Sequence, residues 1–366
     1  MQTRLFAKAL QPGNPARSDP CTRLRRPDIL IRVHDSPQSP PLPPTPSERA
    51  RGCLIGLAVG DAMGAPTEGM TRQQVAREHG RITTFTDETA TGTDDTEYAV
   101  LTARAVIRRG ADLTGDDVAA DWLTALAQQT DGYHGAGFSE MGALAALRSG
   151  VRPPLSGRRC AEAWSDGAAM RAAPLGIAAA GDPARAAELA EADGAVSHSR
   201  DGIDGARAIA AAVSVAMTGA DTDAVLDAAR AAVPDVSWTA RTVDRALAIV
   251  AAGGERETIE QRLYDEISIL GYPWADSGPE ATAFTLAAVA LAQGDPIEAI
   301  LTGVNMGRDS DTIAAMAGAI TGAMAGIDAF PPEWVDRVRL VHGVCVTATR
   351  GADLLRLADD LTEVGR

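Results

Sequence analysis

Residues 307–326 read GRDSDTIAAMAGAITGAMAG, and this stretch decides the fold. Acids and hydroxyls open it, and alanine, glycine and larger apolar residues at helical spacing follow. Gly318, Gly322 and Gly326 lie four residues apart on the predicted helix, a spacing that lets a second helix pack closely through small side chains. The apolar part is too short, and too often interrupted by Gly and Thr, to span a bilayer comfortably. The stretch therefore predicts a buried helix of a soluble protein.

The same alanine-rich texture, broken by Gly, Pro and Asp, extends from Ser47 onward. Segments such as VAADWLTALAQQ, GARAIAAAVSVAM and EATAFTLAAVALAQG are apolar on one side or nearly all round, as helices of a multi-helix core are. Convincing alternating strands are absent from the sequence. The pattern predicts an all-α fold, and length alone leaves open whether it forms one domain or two.

The N-terminal residues have a different composition. Ten of the 21 prolines lie in residues 1–50, and the segment SPQSPPLPPTPSERA has no hydrophobic period. We expect residues 1–47 to be a disordered Pro/Arg-rich tail and residues 48–366 to hold the fold.

Charge and composition exclude several classes of protein. The net charge of -15 and the pI near 4.8 argue against nucleic acid or an anionic membrane as partner. Lys8 is the single lysine, so the folded part has no Walker A or Schiff-base lysine. Four scattered cysteines without nearby histidines give no zinc site or disulfide framework. With no apolar segment typical of a secretory signal, we expect a cytoplasmic protein, and the arginine and alanine usage suggests a bacterial source.

Two clusters of acids and hydroxyls stand directly before apolar helices. They are Thr93, Asp94 and Asp95 in TGTDDTEYAV (91–100), and Asp309, Asp311 and Thr312 in the opening stretch. Either cluster alone is compatible with ordinary helix caps. A cap uses one or two such residues, whereas these clusters hold surplus carboxylates that repel one another without a counter-ion. Oxygen ligands without His or Cys suit Mg²⁺ or Mn²⁺, and four aspartates balance two such ions.

Five motifs occur in an order that resembles the ADP-ribosylglycohydrolase family. They are GCLIGLAVGDAMGAPTEGM (52–70), TGTDDTEYAV (91–100), DGAAMRAAPLGI (166–177), SHSRDGIDGA (197–206) and GRDSDTIAAMAGAITGAMAG (307–326). The resemblance covers residues 49–366. It implies a single compact multi-helix orthogonal bundle with a binuclear Mg²⁺ or Mn²⁺ centre, and the six residues of the two clusters as its ligands. The implied reaction cleaves the bond between the anomeric carbon of ADP-ribose and a nitrogen or oxygen of an acceptor such as a protein arginine.

The same resemblance assigns catalytic residues. Glu68, in GAPTEGM, lies where similar proteins keep a glutamate on a mobile loop, which makes it the candidate proton relay and gate. The alternative is a solvated loop acid. Asp94 and Asp95 could share the role, because metal-bound carboxylates also contact the bridging water.

Candidate substrate-binding residues come from three segments. The loop DGYHGAGFS (131–139) resembles the family's phosphate loop, with Gly135, Gly137 and Phe138, although a plain flexible turn would read the same. Asp166, Gly167 and Met170 lie in SDGAAMR, where Asp166 replaces the asparagine of many relatives. His198, in SHS, matches a histidine near the ligand, and its alternative is a satisfied structural histidine.

Two arginines in these motifs have open roles. Arg171 reads best as a structural ion-pair partner among helix ends. Arg308 replaces a glycine next to the second cluster, so it could contact a phosphate or acceptor, or point to solvent.

Three functional hypotheses follow. The first is an (ADP-ribosyl)hydrolase acting on an ADP-ribosylated protein, and the second a hydrolase of a free ADP-ribosyl or N-ribosyl small molecule. The third is a non-catalytic ADP-ribose-binding protein, against which the intact acids and Glu68 argue. We expect a monomer.

Overall fold

The computed structural model describes residues 42–126, 129 and 137–364. Within these ranges the chain forms helices, and its only extended pairings are two isolated bridges, Ser165 with Ser277 and Leu340 with Asp353. The predicted all-α fold is confirmed.

Eighteen α-helices lie in the described ranges. They are α1 (Pro46–Gly64), α2 (Arg72–Glu78), α3 (Asp94–Arg109), α4 (Gly115–Leu126), α5 (Phe138–Arg148), α6 (Leu155–Arg158), α7 (Gly167–Met170), α8 (Ala173–Ala178), α9 (Pro183–Gly194), α10 (Asp201–Ala216), α11 (Thr222–Ala231), α12 (Trp238–Ala251), α13 (Arg256–Ile267), α14 (Gly278–Ala292), α15 (Pro296–Met306), α16 (Ser310–Ala325), α17 (Pro332–Val338) and α18 (Leu354–Thr362). Short 3-10 helices span Ala65–Thr67, Gly110–Asp112, Ile327–Ala329 and Thr347–Thr349.

The first helix begins close to the predicted end of the tail. A capping box between Thr45 and Glu48 opens α1 at Pro46. Residues 1–41 of the predicted tail lie outside the described residues, so the boundary at residue 48 stays a prediction. Pro43–Arg366 forms one compact unit.

The antiparallel pair α1 and α16 makes the most extensive contact between helices. A Cβ atom added to Gly52 would lie 2.4 Å from the Gly322 carbonyl oxygen, and one added to Gly56 would lie 2.1 Å from that of Gly318. Such distances exclude any side chain, so the two backbones touch. The predicted close packing through Gly318 and Gly322 is present. Gly326, however, lies just beyond the helix and ends it with φ of +82°.

This contact places the first polar residues of the site. Farther along the same pair, a Cβ at Gly64 would lie 2.4 Å from the Asp311 Cα atom. The C-terminal turn of α1, with Asp61, therefore meets the N-terminal turn of α16. Both α14 and α16 are buried nearly all round, and α10 packs beside them with α8, α9 and α11. No helix of the described chain is long and apolar enough to cross a membrane.

Candidate active site

The N-termini of four helices converge on one cavity. Helices α3, α5, α7 and α16 all begin at its wall, the segment before α14 adds Trp274 and Asp276, and the loop that follows α1 closes another side. The cavity has a volume of about 250 Å³. Its lining residues are Glu68, Asp94, Gly137, Phe138, Ser139, Glu140, Ser165, Asp166, Gly167, Met170, Trp274, Asp276, Asp309, Asp311 and Thr312. Helix N-termini carry partial positive charge, which favours the acids gathered here.

Most residues predicted for the site lie at this cavity. Thr93 and Asp95 are absent from its lining, and Thr93 donates to Asp61 while Asp95 accepts from Thr312. His198 is buried and borders a second cavity. Gly135 lies outside the described residues. Two segments more than 200 residues apart in the chain thus supply the acids of one site.

The two predicted clusters are not ordinary helix caps. Thr93 and Asp309 occupy the cap positions of α3 and α16, yet within the described chain neither side chain accepts an N–H of the helix that it opens. Elsewhere the same residue types do cap, as Asp221 does for α11 and Thr71 for α2. Neither side chain therefore serves as the cap of its own helix.

Asp61 of α1 caps α3 from outside. Its carboxylate accepts the N–H of Thr93 at 2.8 Å and the N–H of Thr96 at 3.0 Å. It also accepts the hydroxyl protons of both threonines, that of Thr93 at 2.7 Å. Because Thr93 donates its proton to Asp61, the lone pairs of its oxygen remain available to a cation. Thr312 is arranged in the same way, since its hydroxyl donates to Asp95 Oδ1 at 3.0 Å.

Three carboxylate oxygens of the site lack partners in the described chain. Among the described residues, Asp95 Oδ2, Asp166 Oδ2 and Asp311 Oδ1 are buried without a hydrogen-bond partner. Burial and the charge of Asp61 raise the pKa of Asp95 well above its usual range, and burial and the charge of Asp309 do so for Asp311. A buried acid cluster of this kind is costly unless cations neutralise it.

The donor set fits a hard divalent cation. Two groups of carboxylates have oxygens within 4.8 Å of one another: Asp61 with Asp95 and Asp311, and Glu68 with Asp309 and Asp311. Both groups contain Asp311, and all the atoms are oxygen, which Mg²⁺ and Mn²⁺ prefer. The orphaned oxygens and the threonine lone pairs described above supply further ligands. The arrangement can therefore bind a divalent metal ion.

Arg171 is the structural ion-pair partner that the sequence predicts. Its fully buried guanidinium group donates to Asp193 Oδ2 at 2.7 Å and to Glu140 Oε1 at 2.9 Å. A third contact reaches the hydroxyl of Ser197 at 2.9 Å, and the ring of Trp122 lies 4.9 Å from the guanidinium carbon. Arg171 thereby fixes Glu140 in the cavity wall.

A chain of hydrogen bonds leads from Arg171 through His198 back to the cavity. Since Ser197 accepts from Arg171, its own proton goes to His198 Nδ1, 2.7 Å away. The proton of the imidazole then lies on Nε2, which donates to Ser165 at 2.9 Å. Ser165 donates to Ser139 at 3.1 Å, and Ser139 to Glu140.

His198 is thus neutral, and both of its ring nitrogens bond to serines. Burial and the charge of Arg171 hold the pKa of His198 well below its usual range. The direct contacts of the ring orient the hydroxyls of the cavity wall. Any influence on a ligand in that cavity passes through Ser165 and Ser139.

The mouth of the cavity combines acids and aromatic rings. Glu68 is exposed, while its carboxyl end faces the cavity. Partial burial and the charges of Asp61 and Asp276 raise its pKa. Opposite, the half-exposed rings of Phe138 and Trp274 meet edge to face, 5.6 Å between centroids. These rings offer a surface for a planar or apolar group.

A second cavity of about 950 Å³ lies next to the first. Trp164, His198 and Trp238 line it, together with Arg158 and Arg200. Trp164 is the neighbour in sequence of Ser165, which lines the first cavity. The two spaces are therefore separated by a thin wall of one segment.

Arg308 is buried and forms an ion pair. Its guanidinium does not point to solvent, because the residue is only 5% exposed. It pairs instead with Glu280, with 2.6 Å between Nε and Oε1. The expectation of a solvent-facing arginine was wrong, since the sequence does not show that a buried acid of α14 stands opposite. A contact with a phosphate or acceptor stays a prediction.

Several residues of the site were missed from the sequence. Asp61 lies inside the quoted motif GDAMGAP, and a lone acid in an otherwise apolar helix was the signal that could have identified it. Glu140, Trp274 and Asp276 lie on segments without a recognisable pattern, and only the tertiary fold brings them to the cavity.

Comparisons with known proteins agree on the family. The family model described as ADP-ribosylglycohydrolase matches residues 42–366. The uncharacterized protein YegU of Escherichia coli (strain K12) is 32% identical over 316 residues, which cover 78% of this chain and 90% of that protein. ADP-ribosylarginine hydrolase Tri1 of Pseudomonas putida (strain GB-1) is 27% identical over 309 residues, or 80% of this chain and 74% of the relative.

A solved structure supports the fold. The chain of an ADP-ribosylglycohydrolase-related protein complex superimposes with a TM-score of 0.63 at 23% identity, covering 88% of this chain and 99% of the other. With the family model spanning the whole helical unit, the chain belongs to the ADP-ribosylglycohydrolase family and is a hydrolase of glycosidic bonds.

Proposed function

We propose that the protein is a metal-dependent (ADP-ribosyl)hydrolase. It cleaves the bond between the anomeric carbon of ADP-ribose and an acceptor such as a protein arginine side chain, and it uses two Mg²⁺ or Mn²⁺ ions. The observation that carries the proposal is the pair of buried, unpartnered oxygens, Asp95 Oδ2 and Asp311 Oδ1, within an acid cluster at the foot of a cavity. The similarity to an ADP-ribosylarginine hydrolase supports the choice of acceptor.

Six residues would hold the ions. They are Thr93, Asp94, Asp95, Asp309, Asp311 and Thr312. Asp61 stands behind them: its oxygens are occupied by donors from Thr93 and Thr96, so it orients ligands rather than adding a free one. When bound, the ions would hold the ribose hydroxyls, lower the pKa of a water and stabilise negative charge.

Glu68 is the proposed proton relay. Its carboxylate accepts a proton from the attacking water while the new C–O bond forms at the anomeric carbon and the bond to the acceptor nitrogen breaks. It then returns that proton to the departing guanidine nitrogen. The support is its place at the cavity mouth, with an oxygen within 4.8 Å of carboxylate oxygens of Asp309 and Asp311.

The ADP portion needs more room than the acid cavity offers. Ligand sites commonly measure roughly 300–1,000 Å³, whereas this cavity measures about 250 Å³. We assign the diphosphate to the wall of Gly137 and Phe138 and to Gly167 and Met170, and we assign the carboxylate of Asp166 to the neighbouring ribose. The adenosine end goes to the neighbouring cavity. There, the Trp164 ring is available for stacking, while Arg158 and Arg200 provide positive charge.

The test is release of free ADP-ribose from arginine-, serine- and ester-linked substrates. Each reaction is run with Mg²⁺, with Mn²⁺ and with a chelator. We expect metal-dependent release from the arginine linkage and none from the Asp94→Ala variant, with unchanged folding by circular dichroism.

The other outcomes separate the alternatives. Turnover of small ADP-ribosyl compounds without any protein-linked turnover would favour the metabolite hydrolase. Silence across the panel, with ADP-ribose still bound in calorimetry, would favour the binding protein. Release that is unaffected by chelator would contradict the metal assignment.

A further inference from the structure

Backbone strain is concentrated around the two cavities. Four non-glycine residues of the described chain have positive φ: Arg200, Ala275, Gln293 and Arg308. Arg200 and Ala275 border a cavity or its loops, whereas Gln293 does not. Arg308 stands directly before Asp309, a residue of the proposed metal cluster. A positive φ is unfavourable for a non-glycine residue, so it persists where the surrounding contacts enforce it. At Arg308, with φ of +63°, those contacts can be identified.

The backbone of Arg308 is joined to the loop that carries Glu68. Its N–H donates to the Met70 carbonyl at 2.7 Å, and its carbonyl accepts the N–H of Gly69 at 2.8 Å. The preceding Gly307 has no space for a side chain, because a Cβ there would lie 2.6 Å from the Met70 oxygen. These two hydrogen bonds need no particular side chain, and glycine would form them without strain.

The side chain of Arg308 is joined to a different segment. Besides the ion pair with Glu280, Nη2 donates to the carbonyls of Ile269 at 3.2 Å and Tyr272 at 3.3 Å. Glu280 Oε2 in turn accepts the N–H of Ile269 at 2.6 Å. The guanidinium and the carboxylate thus hold both ends of the turn at 269–272.

That turn leads directly into a wall of the acid cavity. Trp274 and Asp276 follow it, and both line the same cavity as Glu68. The carbonyl of Asp276 accepts the N–H of Asp166 at 3.1 Å, which is a second attachment of the same segment. Within the described residues, one carboxylate oxygen of Asp276 is buried without a partner.

We propose that Arg308 is a positioning residue that fixes the width of the cavity mouth. Through its backbone it holds the Glu68 loop, and through its guanidinium it holds residues 269–276, so the acceptor of the substrate passes between two walls tied to one residue. The assignment of these walls to the acceptor rests on the proposed function. A glycine at the same φ would form the same backbone hydrogen bonds. Only the arginine side chain adds the contacts with Glu280 and with residues 269–272.

The experiment compares Arg308→Gly with Gln293→Gly. Both changes remove a strained non-glycine residue, but Gln293 ends α14 away from the cavities and so reports the effect of strain alone. For Arg308→Gly we expect KM for ADP-ribosyl-arginine peptide to rise about tenfold and kcat to stay within about threefold, because binding geometry is lost while the metal ligands remain. Mn²⁺ affinity, measured by calorimetry, should be unchanged.

A structural readout independent of turnover is amide hydrogen exchange. The Ile269 and Tyr272 region should exchange at least about tenfold faster in Arg308→Gly than in the unmodified protein, and Gln293→Gly should leave it unchanged. Arg308→Lys should fall between them, because an ammonium group cannot reproduce the planar fork.

Arg308→Gly leaves the buried Glu280 without its ion-pair partner, which by itself destabilises the fold. The double variant Arg308→Gly/Glu280→Gln removes that unpaired charge and serves as the control. It should match the single variant in KM and exchange, since both act on one contact. Unchanged KM and unchanged exchange at 269–272 in Arg308→Gly would overturn the proposal. A protein that hydrolyses no substrate at all would contradict the proposed function instead, while the exchange measurement would still decide whether Arg308 holds this segment.

Discussion

Helices α15 and α16 follow one another and both begin after an aspartate, but the two aspartates do opposite things. Asp295 is exposed, and its Oδ1 accepts the N–H groups of Ile297 at 2.9 Å and Glu298 at 3.1 Å. Asp309 is buried, and in the described chain its carboxylate accepts no N–H of α16. A capping acid is satisfied by its own helix, whereas a site acid keeps its oxygens for something that arrives from outside. Two aspartates thus differ in purpose: Asp295 stabilises the helix that it caps, whereas Asp309 belongs to the candidate site.

The largest expected effect comes from the site acid Asp311. Asp311→Ala should reduce metal-dependent release of ADP-ribose by at least about 10³-fold, because Asp311 belongs to both carboxylate groups and its loss removes several kcal/mol of charge stabilisation. In chelator the variant should be as stable to urea as the unmodified protein, or more so, since one orphaned buried carboxylate is gone. Retained hydrolysis would remove Asp311 from the metal site.

A smaller effect is expected where the acid serves the site indirectly. Asp61→Asn puts an amide NH₂ group among the N–H and O–H donors of Thr93 and Thr96, so the proposed ligand Thr93 loses its orientation. We expect Mn²⁺ affinity to fall about 10–100-fold in calorimetry. Asp221→Asn is the matched control, since asparagine caps a helix as well as aspartate does. Equal metal affinity in both variants would show that Asp61 does not support the ligands.

The cap itself should matter only for stability. Asp295→Ala should lower the free energy of unfolding by about 1 kcal/mol, through the loss of one helix cap. Hydrolysis at a temperature well below the unfolding transition should be unaffected. If the Asp295→Ala variant lost activity while fully folded, the distinction between capping acids and site acids would be wrong.

The smallest effect concerns Asp204, on the wall of the second cavity. Burial and the neighbouring Asp201 raise its pKa to about 6, so the folded protein holds this proton more tightly than the unfolded chain does. Ionisation therefore destabilises the fold as the pH rises from about 3.8 to about 6. Asp204→Asn should raise Tm at pH 7, and the gain should vanish at pH 3.5. Asp227→Asn, at an exposed acid of α11, should leave Tm nearly constant at both values; an equal gain there would refute the assignment to Asp204.

Local sequence predicts the fold class and the two acid clusters because their signals are contiguous. Thr93 to Asp95 and Asp309 to Thr312 are each read within a few residues, and the helices follow from periodicity. The partners of these clusters come from distant segments that carry no such pattern. Asp61 reads as one acid in an apolar helix, and Asp276 as part of a loop. The burial of Arg308 was not predicted, because its partner Glu280 lies 28 residues away in the chain and no sequence pattern joins the two.

The glycine contact between α1 and α16 also acts as a check on assembly. Moving α16 by one residue along α1 would shift Asp311 by about 1.5 Å and rotate it by about 100° around the helix axis. Such a slip would also bring side chains to positions where Gly318 and Gly322 now touch the backbone of α1, and the distances there admit none. A one-residue slip is therefore rejected by steric exclusion. The same glycines, which carry no side chain, therefore set both the register of the two helices and the spacing of the acids.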